Sequence, residues 1–275
     1  MLVTLNDLLP EAASSSYAVP CFNVFGYEDA RAVVEAAEEA QRAVILACNK
    51  DVVDFYGVET AAAMFLSLGK QSSSKVCLHL DHTYEEEIVY QAMKAGFTSV
   101  MFDGSQLPLS ENIQRTQQVA KVAKALGISI EGEVGSVPYD EGRDYIKSIY
   151  TEPEEAAQFY LESGVDCVAV SVGNVHRLTE PVCDIDFARL DRIANSVSAP
   201  LVIHGTSGIR DEDMLKLKQS RVSKFNIGTC LRQALGHNLR AYMNKEPDKF
   251  DRIYFMQKVM PYVREEALRN FKLLG

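Results

Sequence analysis

The sequence predicts an α/β fold, a single (β/α)8 TIM barrel over residues 1–275 with extra C-terminal helices. Three observations predict it. Eight short apolar runs recur along the chain, continuous rather than alternating, as suits parallel strands buried on both faces. Segments with apolar residues at helical spacing lie between them. A length of 275 residues fits one such barrel, and no Gly-x-Gly-x-x-Gly follows the first run to favour a doubly wound open sheet.

The runs span residues 18–24, 43–48, 76–80, 99–102, 128–134, 167–172, 201–204 and 222–227. After the first, 28–42 puts Ala30, Val33, Val34, Ala37 and Ala40 on one stripe, and 58–68 repeats the pattern after the second. The segment 85–95 gathers Ile88, Val89, Ala92 and Met93 and stops at Gly96; 110–126 stops at Gly127. Thr151-Glu152-Pro153-Glu154 opens the next helix with a hydroxyl, an early proline and early acids, and Gly164 closes it. Residues 186–196 and 211–219 complete the repeat. Two further helical segments, 231–243 and 250–273, exceed what a barrel needs; they are expected to cover its end or to form the contact of a homodimer or homotetramer. No linker divides the chain.

Composition narrows the function. The chain is 47% hydrophobic, carries a formal charge of −10 and has no Lys/Arg cluster, which argues against nucleic acid and against an anionic membrane surface as partners. No apolar stretch approaches the ~20 residues that span a bilayer, and residues 1–7 lack an export signal, so a cytoplasmic location is expected. The cysteines Cys21, Cys48, Cys77, Cys167, Cys183 and Cys230 are scattered without a Cys-x-x-Cys pair and read as buried reduced thiols.

Barrel chemistry comes from the C-terminal ends of strands, and polar residues collect there: Asp81-His82, Asp103, Glu131 and Glu133, His176, His204 and Asn226. Of five histidines, His82, His176 and His204 close strands or open the loops after them. Three imidazoles with one open position suit Zn2+; Co2+, Fe2+ or Mn2+ would accept a similar set. His79 is expected inside the barrel and His237 on a late helix, both structural. Glu131 and Glu133, two apart on a strand, face the same way. They could ligate metal, bind a second ion or orient the histidines; the alternative is an internal ion pair, for which Lys224 is the obvious cation. The small-residue loops Gly205-Thr206-Ser207-Gly208 and Asn226-Ile227-Gly228-Thr229 follow strands seven and eight, where barrels frequently bind phosphate.

With these residues in view the chain resembles the class II, metal-dependent ketose-bisphosphate aldolases, the group of fructose- and tagatose-bisphosphate aldolases. The resemblance is carried by Val19-Pro20-Cys21-Phe22-Asn23-Val24, Leu78-His79-Leu80-Asp81-His82, Phe102-Asp103-Gly104-Ser105, Glu131-Gly132-Glu133-Val134-Gly135, Tyr150-Thr151-Glu152-Pro153, Gly173-Asn174-Val175-His176 and the two loops above. It implies a zinc-dependent aldolase that cleaves or forms a C–C bond of a ketose (bis)phosphate through a metal-stabilised enediolate. The products would be dihydroxyacetone phosphate, or a similar ketone, plus an aldehyde. It assigns the zinc to His82, His176 and His204, with Glu133 as alternate ligand and Asp103 and Glu131 near a second site. Asp81 is similar to the residue that moves the C4 hydroxyl proton. Asn23, Gly173, Gly205, Ser207, Asn226 and Thr229 fall on substrate- or phosphate-binding positions, and a monovalent cation such as Na+ or K+ is implied beside the phosphate. A metal-dependent sugar-phosphate isomerase or epimerase and a non-catalytic sugar-phosphate-binding homologue are the competing readings. Lys224 is the lysine to suspect for Schiff-base chemistry.

Four departures from the family pattern surround the expected substrate. Arg177 and Thr206 stand where glycines are usual. Ala47-Cys48-Asn49-Lys50-Asp51 lacks the usual Gln and Ser and brings in Lys50. The loop 136–148 lacks the paired acids that supply a base for the three-carbon donor, for which Tyr139, Asp140 or Glu141 could substitute. The metal-enolate chemistry is therefore expected to be kept and the acceptor end or donor head group to differ, with Lys50 and Arg177 contacting an anionic group.

Overall fold

The computed structural model describes residues 1–140 and 146–275. Eight parallel strands close into a barrel in chain order: β1 (Val19–Asn23), β2 (Val44–Cys48), β3 (Val76–Thr83), β4 (Ser99–Phe102), β5 (Ser129–Val134), β6 (Cys167–Val170), β7 (Leu201–Ile203) and β8 (Val222–Ile227), which pairs back onto β1. Each strand corresponds to one apolar run. The runs show no alternation because each strand is buried on both faces. Leu46, Leu78, Val100, Ile130 and Val168 pack outward under the helices, while Cys21, Ile45, Cys77, Met101, Cys167 and Val202 pack in the lower interior.

The helices are α1 (Leu9–Ala13), α2 (Tyr27–Ala40), α3 (Lys50–Tyr56), α4 (Val58–Gln71), α5 (Glu86–Ala95), α6 (Leu109–Ala125), α7 (Pro153–Ser163), α8 (Phe187–Ser196), α9 (Asp211–Leu217), α10 (Thr229–Lys245) and α11 (Arg252–Leu274). Three findings revise the sequence reading. Residues after β2, read as a loop, form α3, capped by Asn49, whose side chain accepts from the Val52 amide. The N-terminal segment closes the floor of the barrel: Leu5, Leu8 and Leu9 are buried in the lower interior cluster, and the Leu5 amide donates to Ser129 Oγ at 2.9 Å. Finally, α11 is not surplus. It buries Phe255, Val259, Val263, Ala267 and Phe271 beside α2 and packs Phe271 edge-on against Phe22 of β1, so it completes the outer ring at the β8–β1 seam. Among the described residues of α10 only Leu231 is fully buried, and no single helix is long and apolar enough to cross a membrane.

Candidate metal and substrate site

The period-two geometry of a strand sends every second side chain into the barrel. By that count Asn23, His79, Asp81, Glu131, Glu133, His204, Lys224 and Asn226 point inward, and all but the half-buried Asn23 are buried. His82, next to Asp81, should point outward. It does not, because the backbone at His82 is left-handed (φ 37°) and the β3–β4 register shifts between Leu80 and Thr83. Such an irregularity re-aims a side chain at a cost of roughly 1–3 kcal/mol. It brings the His82 ring to 4.4 Å from that of His204 and 4.9 Å from that of His176, centroid to centroid.

The three histidines offer ring nitrogens within 4.8 Å of one another. His204 Nε2 donates to Glu131 Oε1 (2.8 Å) and His82 Nδ1 to Asp103 Oδ2 (2.8 Å). Each carboxylate thus occupies one nitrogen and directs the other: His82 Nε2 and His204 Nδ1 are buried with no hydrogen-bond partner among the described residues. His176 is held by backbone bonds, its N–H donating to Pro138 O and its carbonyl accepting from Asp140, and its ring stacks on Tyr139 at 4.3 Å. Neutral imidazoles oriented by carboxylates are the donor set a divalent cation requires, so these residues fit the metal that the sequence implied.

The electrostatics agree. Burial opposes a charge on His82, yet Asp81, Asp103 and Glu133 surround it and push it up to about 9. This position favours a positive charge, whether proton or metal. Burial holds His204 well below the ordinary histidine range, hence neutral. Asp81 is also buried, but His82, His204 and Lys224 outweigh the loss of water and keep its carboxyl below the ordinary range. Its oxygens accept from Asn23 Nδ2 (2.7 Å) and Asn226 Nδ2 (3.0 Å). Burial, with Asp103 adding repulsion, raises Glu133 to about 8. Its Oε2 is buried without a partner among the described residues, and His82, Asp103 and Glu133 form a second group able to hold a cation.

Glu131 belongs to neither group. It is bound by His204 and, at 2.9 Å, by Lys224 Nζ, so the internal ion pair describes its contacts, not a ligand set of its own. Burial works against the Lys224 charge, but Cys21, Glu131 and Asp81 around it hold the ammonium above the ordinary lysine range. A lysine kept protonated lacks the lone pair that a Schiff base needs. His79 is fully buried and bonded to Ser99 Oγ through Nδ1 (2.8 Å), and His237 sits exposed on α10.

Above the histidines opens a cleft. Asn23, Asp81, His82, His176, Arg177, Gly205, Ser207, Asn226 and Thr229 line it. Gly173 does not. With φ at 107° and no room for a Cβ beside Asp184 O, it shapes the turn leading to His176. Gly205 lies so close to the Val175–His176 backbone that a Cβ would meet it at 2.6 Å, which ties the β7 loop to the β6 loop. Thr206 donates from Oγ1 to Asn226 O (2.7 Å) and staples the two small-residue loops together.

Lys50 is a correction. Its ammonium pairs with Asp54 one turn along α3 at 3.0 Å, and it borders a separate hollow beside Thr83 and Glu85. Arg177 reaches across the mouth to Asp51 (3.0 Å) with its guanidinium 5.3 Å from the Tyr139 ring centre. Its backbone is left-handed (φ 64°), which gives the physical reason a glycine suits that position. Asp140 is exposed, and Glu141 lies outside the described residues. Sequence reasoning missed Phe25, Asn49 and Arg232 in the cleft wall. Arg232 had a visible signal: it sits in the first turn of the helix that follows the Thr229 loop, and its guanidinium lies 5.1 Å from the Phe25 ring centre.

A family model described as fructose-bisphosphate aldolase class-II matches residues 3–275. The chain belongs to the class II fructose-bisphosphate aldolase family. Its fold is similar to that of the YdjI aldolase from Escherichia coli K12, with a TM-score of 0.86 and 31% identity over 100% of this chain and 98% of that one. A putative fructose-1,6-biphosphate aldolase from Coccidioides immitis (TM-score 0.87, 24% identity, 98% and 95% covered) shares the fold. So does the fructose-bisphosphate aldolase of Campylobacter jejuni (TM-score 0.83, 24% identity, 99% and 95% covered). The protein is therefore an aldolase, a carbon–carbon lyase of a metal-dependent class.

Proposed function

We propose that this aldolase uses zinc, held by His82, His176 and His204, to cleave and form the C–C bond of a ketose phosphate, with dihydroxyacetone phosphate and an aldehyde as the partners. The observation that carries this reading is the pair of buried, carboxylate-directed nitrogens, His82 Nε2 and His204 Nδ1, beside an ionised Asp81 at the bottom of the cleft. Co2+, Fe2+ or Mn2+ would suit the same donors. When bound, the cation supplies a Lewis acid against the negative charge that cleavage leaves on the three-carbon fragment.

The side chains do the rest. Asp81, held by two asparagine amides, accepts the C4 hydroxyl proton in cleavage and returns it in condensation. Gly205, Ser207 and Thr229, at the start of α10, bind the phosphate with Arg232 supplying charge from the same helical turn. Asn226 and Asn23 orient the carbons between phosphate and Asp81. Arg177, Asp51 and Tyr139 border the acceptor end and distinguish it from the family pattern, so the aldehyde is one other than the glyceraldehyde 3-phosphate that fructose- and tagatose-bisphosphate both release.

Two assays test this. Exchange of a C3 proton of dihydroxyacetone phosphate with D2O, followed by NMR on zinc-loaded protein, needs no aldehyde; absence of exchange would sink the aldolase mechanism at this site. Release of dihydroxyacetone phosphate from a panel of ketose phosphates then reads the acceptor. Turnover of fructose- or tagatose-bisphosphate at or above about 10 s⁻¹, an ordinary enzyme rate, would overturn the changed-acceptor reading alone.

A further inference from the structure

Lys224 is the only lysine or arginine in the fully buried set among the described residues, and the bond-making steps above give it no task. Its position invites one. The ammonium donates to two acceptors, Glu131 Oε2 at 2.9 Å and Asn226 Oδ1 at 2.6 Å. Each acceptor is the first link of a chain that ends on a reacting group. Glu131 uses its other oxygen to accept from His204 Nε2 (2.8 Å). Asn226 uses its amide nitrogen to donate to Asp81 Oδ1 (3.0 Å).

We propose that Lys224 is a positioning residue that sets the donor–acceptor polarity of both halves of the site. It fixes the Nε2–H tautomer of His204 through Glu131, and it fixes the amide orientation of Asn226 that turns an N–H toward Asp81. The argument is one of hydrogen-bond direction. An ammonium has three donors and no acceptor, so the atom of Asn226 facing it must be the oxygen, which leaves the nitrogen for Asp81. Turned over, the amide would place its oxygen against a carboxylate. An ammonium on Glu131 likewise keeps that carboxylate purely an acceptor, so the proton between Glu131 and His204 belongs to the imidazole and the Nδ1 lone pair points into the site. One buried charge thereby commits two groups, the His204 ring and the Asn226 amide. The His204 half rests on the metal reading above; the Asn226 half needs only Asp81.

A purely structural role, in which Lys224 merely balances the charge of Glu131, makes a different prediction, and a double substitution separates the two. Lys224→Met alone leaves a buried unpaired carboxylate and is expected to fold poorly. Lys224→Met with Glu131→Gln removes both charges and keeps the shapes. Glu131→Gln alone is the reference, since it removes the carboxylate that directs His204 yet keeps the ammonium; if charge balance is all, the two variants share one His204 tautomer. If Lys224 sets polarity, the double variant folds, shown by a cooperative melt near that of wild type, yet the Gln and Asn amides are free to turn. Long-range ¹H–¹⁵N spectra of metal-free, ¹⁵N-histidine-labelled protein then show His204 as a mixture of tautomers in the double variant, against a single Nδ1–H form in Glu131→Gln alone, where the ammonium holds the Gln oxygen and turns its N–H toward His204. Calorimetry shows Zn2+ binding weakened about 10- to 100-fold, the range seen when a group behind a metal ligand is changed. At saturating zinc, kcat falls while KM for the ketose phosphate holds, because Asp81 loses its aligned amide. The same His204 tautomer state in the folded double variant as in Glu131→Gln alone would overturn the proposal. Wild-type protein that binds no zinc would sink the metal reading, and the metal-free spectra would still decide the role of Lys224.

Discussion

Inside the barrel, Asp81, Glu131 and Lys224 have at most 4% of their side chains exposed and are joined by bonds of 2.6 to 3.0 Å. At the rim, Arg177 and Asp51 meet at 3.0 Å with 27% and 46% exposed. The distances are alike; the surroundings are not. Buried charges interact with little competition from water, and removing one leaves its partner stranded, whereas an exposed pair is worth about 1 kcal/mol or less. The interior therefore holds a fixed reaction geometry, and the rim is free to vary in what it admits. Substitutions at the centre should stop chemistry, and substitutions at the rim should redirect it.

The largest effect tests the centre. His82→Ala should lower bound metal to below a tenth of stoichiometry and turnover by about 10⁴-fold or more, measured by elemental analysis and a coupled assay; a variant that keeps its metal would break the comparison. Asp81→Ala should cost about 10²- to 10⁴-fold in kcat, as for a general acid–base group, while metal stays bound. Loss of metal together with activity would show that Asp81 acts as a ligand.

The interior should also answer to pH. In metal-free protein His82 is raised from 6.5 to about 9 by Asp81, Asp103 and Glu133 acting against its burial. The stability its proton contributes is complete below pH 6.5 and is lost as pH rises through 9. A cation competes for the same ring, so the rise in Tm on adding zinc should be small near pH 6.5 and grow toward pH 9, by an amount on the order of 3 kcal/mol of linkage at most. A zinc-induced shift that is flat with pH, measured by differential scanning calorimetry, would count against the arrangement. The smallest effect belongs to the rim: Asp51→Ala and Arg177→Gly should each change stability by less than about 1 kcal/mol and leave zinc binding alone, while altering the ranking of aldehydes in the condensation direction.

The same contrast explains what was legible in the sequence. All eight strands could be read because each is buried on two faces and so is built mainly of apolar residues. The chemistry-bearing residues were legible because they interrupt that apolarity, within strands as at Glu131 and Lys224 and at their ends as at Asp81 and His82. Which atoms meet was not. His204 finds Glu131 at a separation of 73 positions, and Asn226 finds Asp81 at 145. No periodicity encodes such contacts, only closure of the barrel. Lys50 shows the opposite failure. Its i,i+4 partner Asp54 was in plain view, but only a helix brings them together, and Asn49 as its cap went unnoticed. Gly173 matched a binding position in the family; what its backbone shows here is a left-handed turn with no room for a Cβ.

The N-terminal floor has a consequence for how the chain reaches this state. Leu5 donates to Ser129, α1 packs against β8, and the Ala18 amide donates to Leu274 O, so the first residues are completed in part by segments more than a hundred positions away. Contacts of such high order are won late, since loop-closure entropy is spent before they form. Until β8 arrives, Leu5, Leu8 and Leu9 are an apolar segment without a home. The seam that gives the finished barrel its closed interior is also where a half-folded chain exposes the most adhesive surface.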